Sequence, residues 1–345
     1  METRVLRALL IAAAFPLLLF GQGSTTNVSK TGTVASSFLE IAVGAPAVGM
    51  GGAFVSLAND ATALYWNVAG IANLQKREFI SLHTSWIAET SFNYAGLVMP
   101  MGNFGTLGFS FTSLSMGEQP VRTVEKPEGT GEFFDAGDIA LGVSYARKLT
   151  DRFSLGLTAK YIQQKIWHMT ANGFAIDAGT SFHTDLLGGI NIGASITNFG
   201  TSMKLSGRDT RQFGRIDNTK LGSNDRIPSN IELDSWDLPL LFQFGLSTNA
   251  IDREGYRWTI AVDALHPTDN YESVNIGTEF AYNDIFYLRG GYNSLFLSDN
   301  EGGFSFGFGL ATSTLLTNAT IKIDYAYRDM GRLQTVNVFS LGLAF

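Results

Sequence analysis

The 345-residue chain has no cysteine, only 8 prolines and just 16% charged residues, against about 25% charged in an average soluble protein. Without cysteine there is no disulfide scaffold, thiolate zinc site, cysteine nucleophile or lipid-attachment cysteine. A net charge of -7 without any basic run excludes nucleic acid as a partner, because phosphate binding needs clustered Lys and Arg. The chain also lacks an apolar run of the roughly 20 residues that a membrane-spanning helix needs. The stretch Ala8–Phe20 is too short, and Ile41–Ala58 is broken by Gly44, Pro46, Gly49, Gly51 and Gly52. What the chain does have is 38 glycines and 26 phenylalanines.

Residues 1–22 read as a secretory signal peptide: Arg4 and Arg7, the apolar stretch, then the small residues Gly21 and Gly23. The mature protein is then exported without a helical anchor, either as a soluble protein or as an outer-membrane barrel.

Side-chain alternation separates the two. From Glu78 onward the runs have the two-residue period of strands with unlike faces. Ile139, Leu141, Val143 and Tyr145 oppose Ala140, Gly142 and Ser144; Phe304, Phe306, Phe308 and Leu310 oppose Ser305, Gly307 and Gly309. In Glu78–Ile87 the apolar face is Ile80, Leu82, Thr84 and Trp86, which sets Ser81, His83 and Ser85 on the other. A soluble sandwich covers its outer face with charge. Here one face is large and apolar and the other is small and polar, as in a barrel with lipid outside and a polar lumen.

The runs predict an all-β transmembrane antiparallel barrel of about 14 strands over residues 77–345, an even number as in bacterial barrels. Connections should alternate between long outer loops (Gly117–Glu132, Gly200–Trp236) and tight inner turns (Thr150–Asp151, Asn283–Asp284).

Residues 23–76 form an N-terminal segment whose Phe38–Asn73 part does not alternate and is too apolar for a linker. It is expected to fold in the lumen as a plug, with Asp60 capping a short helix over 61–66 and Gly49, Gly51, Gly52, Asn67 and Gly70 forming turns and close contacts with the wall.

The run FLEIAVGAPAVGMGGAFVSLANDATALYWNVAGIANL, with HTSW at 83–86, NIGTEFAYNDIFYLRGGY at 275–292 and IDYAYRD at 323–329, resembles the PorV/PorQ family, relatives of FadL-type outer-membrane transporters. Pro46 stands where that family commonly has Arg, Val68 interrupts its usual Asn-Pro-Ala-Gly, and Ser85 replaces a frequent acidic residue. The resemblance implies a fourteen-stranded plugged barrel in the cell outer membrane. It also implies a role in type IX secretion, binding secreted cargo proteins or secretion machinery and handing cargo on at the surface. The alternative is FadL-like uptake of fatty acids or other hydrophobic small molecules.

Little in the sequence points to catalysis. His83 and Ser85 share a face, an arrangement similar to the His-x-Ser of a barrel phospholipase, but a triad needs a base in reach, an orienting group and an oxyanion site. The pair is assigned instead to a luminal polar network with Lys160, Asp177, Asp263, Glu279, Arg289, Lys322 and Asp324, tying wall to plug. The four histidines do not sit at metal-ligand spacing, so no metal, cofactor or enzymatic activity is expected. Loops as long as Gly200–Trp236 are uncommon unless functional or disordered. Its cations Lys204, Arg208, Arg211, Arg215 and Arg226 are therefore the candidate contacts for a partner protein, besides the lipid around the barrel.

Overall fold

The computed structural model describes residues 30–215, 219, 226–297, 303–313 and 319–345. The expected signal peptide 1–22 lies outside the described residues.

Fourteen strands close into one antiparallel barrel. They are β1 (Glu78–Ser85), β2 (Ser91–Pro100), β3 (Thr106–Ser115), β4 (Ala136–Thr150), β5 (Phe153–Ile166), β6 (Met169–Thr184) and β7 (Ile190–Gly200). The rest are β8 (Leu241–Arg253), β9 (Tyr256–Pro267), β10 (Ser273–Tyr282), β11 (Phe286–Leu295), β12 (Phe304–Ser313), β13 (Thr320–Asp329) and β14 (Thr335–Ala344). Each pairs with its sequence neighbour, and β1 closes the ring on β14 in a register from Glu78 opposite Ala344 to Thr84 opposite Val338. Closure removes the open edges that would otherwise leave backbone groups unsatisfied in lipid. Among the described residues, no helix is long and apolar enough to cross a membrane.

The alternation sorts the faces as the pattern requires over most of the wall. Leu141, Val143, Phe174, Ile176, Phe304 and Phe306 are exposed outward, while Ser144, Thr158, Ala261, Ser305 and Ala326 are buried inward. At the expected lipid surface, that outward apolar belt carries the hydrophobic stabilisation a soluble protein would find in its core.

The turn end holds Asp151–Arg152, Glu254–Gly255 and the last residue, and the two longest connections, 116–135 and 201–240, are both at the opposite, loop end, but the expected strict alternation of long and short does not hold. Four loop-end connections depart from the expected length: 86–90, 268–272 and 330–334 are short, and the shortest joins β5 and β6 through Trp167 and His168 alone. There β4, β5 and β6 are 15, 14 and 16 residues long, so the strands themselves supply the projection that a loop supplies elsewhere.

The first strand inverts the sequence-based assignment. Ile80, Leu82 and Thr84 are buried toward the lumen, and so are Phe92, Tyr94 and Val98 of β2. Opposite the plug's apolar residues, the wall must itself be apolar to bury them, so here the large side chains point in.

Candidate functional site: plug, luminal network and outer loop

Residues 36–74 lie inside the barrel and supply most of its buried apolar cluster, including Phe38, Val43, Met50, Phe54, Leu64, Trp66 and Ile71. The segment has two short helices, α1 (Ala45–Gly49) and α2 (Ala63–Trp66), linked by turns. Asp60 accepts from the Thr62 amide at 2.8 Å and from its hydroxyl, and its carbonyl accepts from Ala63 at 3.0 Å, so it fixes the chain entering α2. Trp66 Nε1 donates to the Val43 carbonyl at 2.8 Å.

Asn67 is buried and uses all of its amide: Nδ2 donates to Val55 O and Thr180 O, both at 2.9 Å, and Oδ1 accepts from Ala69 N at 3.2 Å. Two of these bonds hold the plug to itself, and the third holds it to β6. Gly70 packs against the Ala58 carbonyl with no room for a side chain.

Small wall residues explain how a plug fits at all. A Cβ placed on Gly49 would lie 2.9 Å from Gly307 Cα, and one on Gly156 would lie 2.7 Å from the Val68 carbonyl carbon. Gly179 meets Asn67, Gly193 meets Val55, and Gly277 and Gly291 meet Met50 in the same way. Gly51, at φ +68°, sits against Tyr292, and Gly52, at φ +79°, against Asn275, so each combines a left-handed turn with contact against the wall. The luminal glycines are thus the surface on which plug backbone rests.

Polar ties complete the contact. Asp263 of β9, fully buried, accepts through Oδ2 from the amides of Phe54 at 2.7 Å and Val55 at 2.8 Å. Arg289 of β11 is clamped between Glu279 and Asp324, both at 2.7 Å, and lies over the Tyr287 ring. Lys322 lines the same crevice as Asp60, Glu78 and Asp324. Lys160 and Asp177 pair at 2.6 Å, and Asp177 also accepts from the Asn198 backbone at 2.8 Å.

His83 and Ser85 belong elsewhere. His83 is register-paired with Phe339, which is exposed on the outer face, and bonds Asn93 Oδ1 at 2.8 Å. Both residues face outward because the inward positions of β1 are taken by Ile80, Leu82 and Thr84 against the plug. Their place in a luminal network is thereby corrected. No carboxylate orients the histidine among the bonds of the described residues, so the pair lacks a triad's third member.

Some participants escaped the sequence reading. Arg257, which reaches Glu279 at 3.6 Å and Asp284 at 3.1 Å, shares parity with Thr259 and Asp263, so extending that strand by one residue would have found it. Asn198 had no such signal: at φ +64° beside a register shift it turns inward next to Thr197, against the alternation, and bonds Lys160 Nζ and Pro239 O. Glu40 faces water at the loop end, yet the enclosing wall raises its carboxyl to about 7, with Asp269 adding repulsion. Burial likewise pushes the Asp269 carboxyl up.

At the turn end a cavity of about 270 Å³ is lined by Asn59, Asn67, Asn73, Asn191, Asn249 and Arg257, among others. At the loop end, the described residues 201–215 and 226–240 form the two sides of an arch. Met203 and Trp236 bridge its base, and Arg211–Gly214 pairs with Ile227–Asn230 above. Lys204 meets Glu232 at 3.4 Å, Arg208 meets Asp209 and His168, and Arg211 is exposed. Arg215 and Arg226 each have an interaction partner. The arch is joined to the plug's leading end, where Ala35 N donates to Asp237 O at 2.8 Å and Ser36 N to Gln164 at 3.1 Å.

Solved structures share this architecture. The toluene transporter TodX of Pseudomonas putida aligns over 88% of this chain and 97% of its own, with TM-score 0.52 and 13% identity. The toluene transporter TbuX of Ralstonia pickettii aligns over the same shares, with TM-score 0.52 and 12% identity. At such identities these likenesses establish the fold. No curated protein matches the sequence. Residues 24–240 match the family described as Type IX secretion system protein PorV, and with well over half its length so matched the chain belongs to that family.

Proposed function

We propose that this PorV-family barrel sits in the outer membrane with its loop end outward, binds exported proteins there through the arch between β7 and β8, and hands them to the secretion machinery. The observation that carries the reading is the division of labour along the barrel axis. Inside, plug backbone rests directly on the wall glycines, while the longest loop lies at the opposite end from Phe345. A plug-filled lumen favours the loop end as the working surface, and binding residues are commonly carried on loops above a rigid scaffold. Chemistry is not required of such a carrier, which acts without an enzymatic step.

A second reading, uptake of hydrophobic small molecules, is favoured by the shared fold with TodX and TbuX. Against it stands the amide-lined cavity at the turn end, where an apolar solute would strand polar groups from water.

The test is co-purification from the native membrane. Deleting Thr201–Ser235 is expected to release exported proteins from the barrel and leave any bound lipid unaffected. If the proteins stay bound, the arch is not their site. For uptake, Ala45→Cys with Ser340→Cys exploits a backbone-to-side-chain bond of 3.2 Å between plug and β14. Transport that stops on oxidation and resumes on reduction would transfer the assignment to the lumen.

A further inference from the structure

The arch contains an unfilled strand position. Its two sides run antiparallel, joined by backbone bonds at the base, through paired Met203 and Trp236 bonds of 2.8 and 2.9 Å, and higher up, where Ile231 N donates to Thr210 O at 2.8 Å beside the Arg211–Gly214 and Ile227–Asn230 pairing, with the Lys204–Glu232 side-chain pair at 3.4 Å crossing between. Between those points they separate around an open slot of about 630 Å³. On one side Ser206 and Gly207 are register-paired with Thr170 and Met169 of β6, and because hydrogen-bonded and non-bonded positions alternate along such a pair, one of the two directs its backbone groups to the slot. On the other side, Glu232, Leu233 and Asp234 make no backbone-to-backbone hydrogen bond among the described residues. Exposed backbone of this kind is a template for an added strand. At about 3.3 Å per residue the wall from Ile231 to Trp236 spans roughly 17 Å, enough for four or five residues of extended peptide.

Side chains select the peptide. Leu205, Ile231 and Leu233 give the slot an apolar lining; Lys204, Arg208 and Arg211 line it with positive charge against the single carboxylate of Glu232. Lys204 is engaged by Glu232, and Arg208 by Asp209 and His168, whereas Arg211 is exposed near the mouth.

The geometry points to the arch as a β-augmentation site that takes an extended, acidic, alternately apolar peptide segment of an exported protein. This assignment rests on the partner-binding reading above and names the chemistry of what is bound. Main-chain hydrogen bonds would supply affinity; alternate side chains would meet the apolar lining and the cations in turn.

The experiment uses the purified full chain in detergent and a dye-labelled, end-capped octapeptide of alternating Val and Glu, read by fluorescence anisotropy. Methylating alternate amide nitrogens removes main-chain donors, and loss of even one bond is expected to weaken binding about tenfold. Arg211→Glu, an exposed replacement that leaves the fold intact, is expected to weaken the Val/Glu peptide and to improve a Val/Lys peptide. Bridging Lys204→Cys and Glu232→Cys with a bismaleimide, straightforward in a chain without native cysteine, is expected to block the slot.

No binding of the Val/Glu peptide, or equal binding after methylation, overturns the proposal. So does binding indifferent to the bridge. If intact exported proteins still co-purify in that case, the slot fails while the carrier reading stands; if they bind neither variant nor native chain, the carrier reading itself fails. Capture of lipopolysaccharide nanodiscs that Arg211→Glu abolishes, without peptide binding, would assign the cations to a lipid headgroup and also overturn it.

Discussion

Replacing Asp263 isolates what holds the plug to the wall. Its Oδ2 takes two backbone donors at 2.7 and 2.8 Å inside the barrel. Hydrogen bonds to a charged group are worth about 1.5–3 kcal/mol each, a gross of about 3–6 kcal/mol for the pair. Burying the carboxylate costs part of that, so Asp263→Ala is expected at the lower end, about 3 kcal/mol. At about 1.4 kcal/mol per tenfold, exchange of the Phe54 and Val55 amides should accelerate by about two powers of ten. Asp263→Asn keeps the shape and a neutral acceptor, roughly half as strong, and should fall about midway. Hydrogen exchange read by mass spectrometry on peptides spanning residues 50–58 measures both, with barrel strands such as β5 as the internal reference. Equal protection in all three proteins would show that packing alone retains the plug. Uniform loss across the strands would show that Asp263 supports the whole barrel.

Gly193→Val drives a branched side chain into Val55 and Ser56, whose atoms already fill that space; the plug turn should open and an added thiol reagent should reach a cysteine placed at Ala53. Unchanged protection would refute the tight packing. Glu40 has a folded value of about 7 against about 4.3 when unfolded, so its neutral form favours the folded plug. Its contribution is complete below about pH 4 and is lost as pH rises through 7. Protection of the 38–41 amides, corrected for intrinsic rate, should therefore fall between about pH 4 and 7 and level off above, and Glu40→Gln should flatten that profile. Arg289→Leu leaves Glu279 and Asp324 facing each other without their shared cation and should cost about 3–5 kcal/mol, seen as a lower melting temperature; if Arg289→Leu melts like the native chain, the clamp contributes nothing to stability.

The barrel was legible because alternation reports two unlike solvents, and residues such as Phe304–Leu310 face lipid on one side and a crowded lumen on the other. It misled where the two sides are alike. On β1 the plug makes the inside as apolar as the outside, so Ile80 and Leu82 lost their directional meaning and His83 with Ser85 were turned the wrong way. Asp263, Glu279, Arg289 and Asp324 stood out as charges on otherwise small faces. Their partners did not, because Glu279 and Asp324 flank Arg289 only through pairings set by the ring's register. Asn198 depends on a register shift that no local pattern encodes, and the arch on where two distant segments part.

The plug enters β1 at the turn end, at Leu74–Lys76, and its leading end meets the arch at Ala35, so the polypeptide runs the length of its own barrel. At the wall glycines the plug backbone lies too close for even a Cβ to be added. Order of assembly follows. The segment must already lie along the growing sheet when β14 finds β1, and the zipping of Glu78–Thr84 onto Val338–Ala344 encloses it. The last seam to form thus determines whether the barrel matures corked or empty, and variants that weaken that seam should be recognised by the state of the plug before any strand is lost.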